Sequence, residues 1–359
     1  MSSTVNNSND LNKALLLAIR ALVSIVVLLL FTVLVVVFYN NIGPENIKVL
    51  LKTGSKTEET AVKVSPVKVI VEEKGLWFAP DINEAAAEEI VYGRDLIANT
   101  AIYLGPKGKV ASITNGMNCQ NCHLDAGTRA YGNNYSAVAS TYPKFRARSG
   151  AIESIEKRIN DCLERSLNGK SLPDDSKEMK AMVAYINWLG SEVKKGDKPK
   201  GSGLVELAFM DRPADPEKGK GIYEQKCRSC HGANGEGLPN PDATAYTYPP
   251  LWGNNSYNHG AGLYRLSRFA GYVKANMPLG ATYNNPQLTD EEAWDLAAFV
   301  NSQPRPKKDL KSDWPDISKK PVDHPFGPFS DQFSEAQHKY GPFEPIKSAM
   351  AAQAEKVSK

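Results

Sequence analysis

Four of the five cysteines fall in two Cys-x-x-Cys-His runs, Cys119-Gln-Asn-Cys122-His123 and Cys227-Arg-Ser-Cys230-His231. Paired cysteines also build zinc ribbons, but there the pairs lie roughly 15 to 20 residues apart. Here the pairs are more than a hundred residues apart, and a histidine follows each one directly. That pattern suits covalent haem c: two thioethers fix one edge of the porphyrin and the adjoining imidazole projects onto the iron. The reading is two covalently bound haem c groups, attached at Cys119, Cys122, Cys227 and Cys230, with His123 and His231 as proximal ligands.

Each iron then needs a distal ligand or an open position. Met277, in Asn276-Met277-Pro278, lies between the second motif and the closing helix, where a small c-type cytochrome domain supplies its distal methionine. Methionine also serves as a core gap-filler; His259 is the competing ligand, and Met210 lies outside the expected loop. For the first haem, the closing helices provide an alignment that does not use the ligands, with Ala184-Tyr185-Ile186 matching Ala298-Phe299-Val300. Cys162 is 23 residues before Tyr185, and Met277 is 22 before Phe299. The fifth cysteine therefore occupies the distal position. A buried structural thiol is the plain alternative, and Met179 and Met182 compete from within the closing helix.

A thiolate ligand pushes electron density onto iron and stabilises the ferric state, which suits a plain electron carrier poorly. It makes better sense where the substrate is itself a sulfur compound, since a thiolate exchanges sulfur with a bound partner. Lys144, Arg146, Arg148, Arg158, Arg165 and Lys170 crowd around Cys162 within 27 residues. Arg158 and Lys170 read as a solvated helix face, whereas Arg146 and Arg148, on the loop leading into the Cys162 helix, read as an oxyanion site for planar guanidinium groups.

The elements that must position these residues form two copies of one plan: helix, CxxCH, loop, helix. Tyr92-Gly93-Arg94-Asp95-Leu96 opens the first copy and SKEMKAMVAYINWL closes it; the second ends in LTDEEAWDLAAFVNSQ. In that last helix Thr289 and Glu292 have capping-box spacing, and Ala293, Leu296, Ala297 and Val300 form an apolar face. The expected fold is all-α, with two tandem class I cytochrome c-like domains behind an N-terminal transmembrane helix. Residues 1–40 carry the anchor, 41–75 a spacer, 76–193 the first haem domain, 194–210 a Lys/Gly/Pro linker and 211–304 the second haem domain. Residues 305–359 read as a Pro- and Phe-rich arm lying on the globular surface, without enough helical period to be a domain.

Residues 21–39 carry no charge and are nearly all Leu, Val, Ile and Phe. At 1.5 Å per residue they span roughly 28 Å, close to the hydrocarbon thickness of a bilayer. A cleaved signal has a shorter apolar core and a small-residue cleavage site, and neither is present. Lys13 and Arg20 precede the span, so residues 41–359 are expected on the periplasmic side. The net charge of +3 over 359 residues excludes a strong electrostatic case for nucleic acid.

NGMNCQNCHLDAGT, YPKFRARSGAIESIEKRINDCLERSLNGK and YVKANMPLG together resemble the dihaem thiosulfate dehydrogenase family of c-type cytochromes, over roughly residues 76 to 345. The Trp-Pro, HPFGPF and YGPFEP pieces of the tail look familial too. The resemblance implies His123 and Cys162 on a catalytic first haem, His231 and Met277 on an electron-transfer second haem, and Arg148 and Ser166 as substrate contacts. The implied reaction joins two thiosulfates into tetrathionate and passes two electrons to a cytochrome or respiratory complex. The anchor departs from soluble members. Two dianions about 5 Å apart at an effective dielectric of 20 repel by roughly 13 kcal/mol, so fixed positive charge is required. The competing readings are a membrane-anchored dihaem carrier without substrate turnover, a sulfur-transfer cytochrome, and a tetrathionate reductase.

Overall fold

The computed structural model describes residues 19–20, 22–32, 75–82 and 87–357. It divides into two units, residues 1–71 and 72–359. In the first, residues 22–32 are helical with exposed apolar side chains such as Leu28 and Phe31. Among the described residues no helix is long and apolar enough to cross a membrane; the rest of the expected 21–39 span lies outside the described residues.

The larger unit is mostly helical. Its first half is built from α1 (Glu88–Ala98), α2 (Ile155–Arg165) and α3 (Lys177–Leu189). Its second half is built from α4 (Pro216–Lys226), α5 (Leu266–Asn276) and α6 (Asp290–Ser302). Starts are written in the sequence: Ser154 and Ser176 accept from Lys157 N–H and Met179 N–H, and Asp215 caps α4 ahead of Pro216. The Thr289 and Glu292 capping box forms in both directions, at 3.1 and 2.8 Å. Such caps contribute roughly 1 kcal/mol each.

Two glycines allow the opening and closing helices to meet. A Cβ on Gly93 would sit 1.9 Å from the Ala181 carbonyl and 2.9 Å from the Tyr185 Cβ. A Cβ on Gly219 would sit 2.0 Å from the Asp295 carbonyl and 2.8 Å from the Phe299 Cβ. The two crossings share one register, and it pairs Tyr185 with Phe299 as the internal sequence alignment does. Around them lie two separate cores, one with Leu96, Leu163, Met182 and Tyr185, the other with Tyr223, Trp294, Leu296 and Val300.

Two departures from an all-helical reading stand out. Short antiparallel ribbons occur, β1 (Lys144–Arg146) with β2 (Ala151–Glu153), and β3 (Leu238–Pro239) with β4 (Tyr246–Tyr248). Both are loop excursions, so helical periodicity carries no trace of them. The tail also folds further than its composition suggests, forming α7 (Glu335–Tyr340) and α8 (Glu344–Val357). Phe343 and Ile346 are buried in the second core.

Candidate active site

The first CxxCH begins with a one-turn helix at Cys119–Asn121. Thr100 Oγ1 accepts from Cys119 N–H at 3.0 Å, and Asn118 Oδ1 accepts from Ala101 N–H at 2.8 Å, fixing the motif beyond the end of α1. His123 Nδ1 lies 2.6 Å from the Asn133 carbonyl. Burial lowers its pKa to about 4, so the ring is neutral. Its Nδ1–H donates to that carbonyl, which leaves the Nε2 lone pair for a metal. His231 repeats the device, with Nδ1 2.8 Å from the Pro249 carbonyl. These orienting carbonyls carry no sequence signal, because any residue supplies one.

Cys119, Cys122 and His123 line a largely apolar cavity with Ile97, Val138, Ile159, Met182 and Ile186 on its walls. Two unpaired thiols and an oriented imidazole facing an apolar space fit a thioether-bound haem. Cys162 lies on the same cavity wall. So does Met182, while Met179 is wholly buried in the core.

Helix α2 explains how Cys162 gets there. Four-residue spacing puts side chains on one face, and α2 carries three such stripes. Ile155, Ile159 and Leu163 pack into the first core. Arg158, Cys162 and the C-cap residue Ser166 line the cavity. Lys157, Asp161 and Arg165 form an ion-pair ladder at 2.6 and 3.7 Å.

A second cavity of about 280 Å³ adjoins the first, and Cys122, His123, Asn133, Arg158, Cys162 and Ser166 border both. Its wall includes Arg146, Arg148, Arg158, Arg165, Arg265 and Arg268. The tail anchors several of these. Arg165 donates to both Asp313 carboxylate oxygens at 2.8 Å, and Arg148 lies 3.8 Å from Asp313 and donates to the Gly260 carbonyl at 2.9 Å. Arg265 donates to Asp323 at 2.8 Å. Burial, with Arg165 adding to it, pushes the Arg148 guanidinium down to about 10. Cys162 holds Arg158 above its ordinary value against the opposing effect of burial. So many guanidinium groups around one cavity are chemically suited to binding an oxyanion.

Arg146 lies on β1 and Arg148 in the turn after it, both on this cavity. Lys170 is exposed, as expected, but Arg158 is not on a solvated face. It sits four residues before Cys162 on the cavity stripe, and that spacing was the available signal. Arg265, Arg268 and the tail's Asp313 and Trp314 come from distant sequence and were not anticipated.

In the second half, Met277 is the C-cap of α5 and packs against the second core, as does Cys227. Met210 packs there too. His259 is engaged elsewhere: its Nδ1 accepts from Lys308 N–H at 3.0 Å, and its ring meets Phe326. The halves are joined by Tyr272 Oη donating to the Asn121 carbonyl at 2.7 Å, and by Asn258 N–H donating to the Arg165 carbonyl at 3.0 Å.

Residues 109–194 match the family model described as SoxA/TsdA, cytochrome c domain, and residues 216–304 match that described as Cytochrome c. Thiosulfate dehydrogenase from Psychrobacter arcticus is 42% identical over 207 residues, which is 57% of this chain and 61% of that protein. Thiosulfate dehydrogenase from Allochromatium vinosum is 39% identical over 226 residues, 62% of this chain and 80% of that protein. Among solved structures, thiosulfate dehydrogenase (TsdBA) from Marichromatium purpuratum in its "as isolated" form matches with a TM-score of 0.60 and 30% identity, over 65% of this chain and 50% of that one. The chain thus spans about three fifths of the Psychrobacter relative and half of the Marichromatium chain. Two cytochrome c domains, each with its CxxCH, carry two covalently bound c-type haems.

Proposed function

The chain belongs to the thiosulfate dehydrogenase family of c-type cytochromes, and we propose that it joins two thiosulfates into tetrathionate at Cys162. One observation carries this reading: Cys162 borders both the apolar cavity of the first CxxCH and the arginine-lined cavity. Cys119, Cys122 and His123 would hold the first haem with Cys162 as distal ligand; Cys227, Cys230, His231 and Met277 would hold the second. When bound, the haems supply electron acceptance, one electron each, and pass the pair to a cytochrome or respiratory acceptor.

The chain's own residues do the rest. Arg158 and Ser166 flank Cys162 and receive the first dianion, Arg148 offsets its charge, and Arg146 lies on the same cavity. The Cys162 thiolate and the sulfane sulfur of thiosulfate form a sulfur–sulfur bond as two electrons leave. The sulfane sulfur of a second thiosulfate then attacks the sulfur bonded to Cys162. The Cys162–sulfur bond breaks, tetrathionate forms, and Cys162 leaves as thiolate, so this exchange step transfers no electrons. A tetrathionate reductase would use the same bonds in reverse.

We place the haem domains on the periplasmic side of the cytoplasmic membrane, held by an uncleaved helix over residues 21–39. Support comes from the uncharged apolar run, from Lys13 and Arg20 ahead of it, and from covalent haem attachment being an extracytoplasmic process. Domain limits at 76–193, 194–210, 211–304 and 305–359 belong to the same proposal. Cys162→Ala tests the reaction: it should retain both haems and lose tetrathionate formation, and substantial retained turnover would rule out the covalent role.

A further inference from the structure

The Cys162 adduct, with its sulfonate charge, and a second thiosulfate dianion must occupy the arginine cavity together, and the guanidinium groups there are not equally available. Arg148, Arg165 and Arg265 are the more buried, with 16%, 10% and 22% of their side chains exposed, and Asp313, Asp323 and the Gly260 carbonyl engage them. Arg146 and Arg268 are outermost, at 36% and 42%. The ion pair of each is long: Arg146 lies 3.9 Å from Glu153 and Arg268 lies 3.9 Å from Glu206, beyond hydrogen-bond reach. Glu206 is itself 85% exposed, so solvent weakens that pair further. Arg146 and Arg268 border the same cavity, and burial, then Arg265 and more weakly Arg146, lower the Arg268 guanidinium. Two guanidinium groups that lack a carboxylate within hydrogen-bond reach and border the same cavity are arranged for an oxyanion bound jointly by both.

We propose that Arg268, together with Arg146, holds the second thiosulfate by its sulfonate end and directs its sulfane sulfur inward to the Cys162 adduct. The assignment rests on the thiosulfate-oxidising reading and deepens it. Arg146 comes from β1 of the first half and Arg268 from the third residue of α5 in the second, nine residues before Met277. The second substrate position is therefore completed only when both halves are present. In this step the incoming sulfane sulfur forms a bond to the adduct sulfur, the Cys162–sulfur bond breaks, and the electron pair stays on Cys162 as thiolate.

The test uses the full-chain holoprotein with Arg268→Gln and Arg268→Lys, reading two quantities. One is the mass of the Cys162 peptide after an acid quench, which reports the thiosulfate adduct. The other is tetrathionate formed as a function of thiosulfate concentration. Arg268→Gln should form the adduct to the wild-type extent yet need about tenfold more thiosulfate for half-maximal tetrathionate formation, the scale expected for a lost hydrogen bond to a charged group. Arg268→Lys should recover part of that loss, which a merely structural role would not produce. A wild-type concentration dependence in Arg268→Gln, or failure to form the adduct, would overturn the assignment. Absence of tetrathionate from the wild type would instead overturn the reading on which it rests.

Discussion

Cys162, Arg158 and Ser166 share one stripe of α2, and the chemistry follows from what that stripe separates: an apolar cavity holding a CxxCH on one side, guanidinium groups on the other. Arg148 lies on the guanidinium side, buried and tethered through Gly260 and Asp313. Arg148→Ala should raise the half-saturating thiosulfate concentration by about tenfold or more while leaving both haem absorption spectra unchanged. Altered spectra with unchanged affinity would make Arg148 structural. Met277→Ala should shift the potential of the second haem and slow electron exit; an unchanged potential would place the ligand elsewhere. That Cys119, Cys122, His123 and Cys162 share one cavity follows a pattern legible in the sequence, because a CxxCH run has few uses; Met277 packs against the second core. Arg158 was misread for a physical reason: a charged residue on an amphipathic helix points to solvent or to a polar cavity, and only the packed neighbours decide which. The carbonyls of Asn133 and Pro249 could not be foreseen at all.

At the scale of elements, the crossing of α1 with α3 and that of α4 with α6 depend on the absence of a side chain at Gly93 and Gly219. Gly219→Ala should destabilise the folded chain by roughly 1–3 kcal/mol through overpacking against the Asp295 carbonyl, visible as a lower Tm. An unchanged Tm would mean the helices separate without cost. Tail anchoring is a second element-scale matter. Burial alone would raise the Asp323 carboxyl, but Arg265 and hydrogen bonds from Ser267 outweigh it and hold the group below its ordinary value of 3.8. Its contribution is therefore complete above that value and lost as pH falls through the depressed folded one. Asp323→Asn should cost about 3 kcal/mol at neutral pH, and its gap to wild type should narrow as pH falls below the ordinary value of 3.8; a gap independent of pH would contradict the pairing. The opening and closing helices were legible from periodicity and caps. The ribbons, the tail helices and the partnership of Asp313 and Asp323 with distant arginines were not, since tertiary pairing leaves no local pattern.

On the scale of the whole molecule, the two haem domains meet where Tyr272 reaches Asn121 and Asn258 reaches Arg165. The tail adds Asp313 and Trp314 around the arginine cavity. The internal duplication gives both halves one plan, and we assign them different tasks: Cys162, inside α2, would serve sulfur chemistry, and Met277, at the C-cap of α5, would serve electron transfer. Two domains in one chain also match the electron count, one electron for each haem per thiosulfate pair. The measurement that tests this most directly is the product stoichiometry of the full-chain holoprotein given thiosulfate and an artificial electron acceptor. The account predicts one tetrathionate for every two electrons delivered. Haems that reduce and reoxidise with no tetrathionate made or consumed would contradict it and leave an electron carrier in which Cys162 only sets a potential.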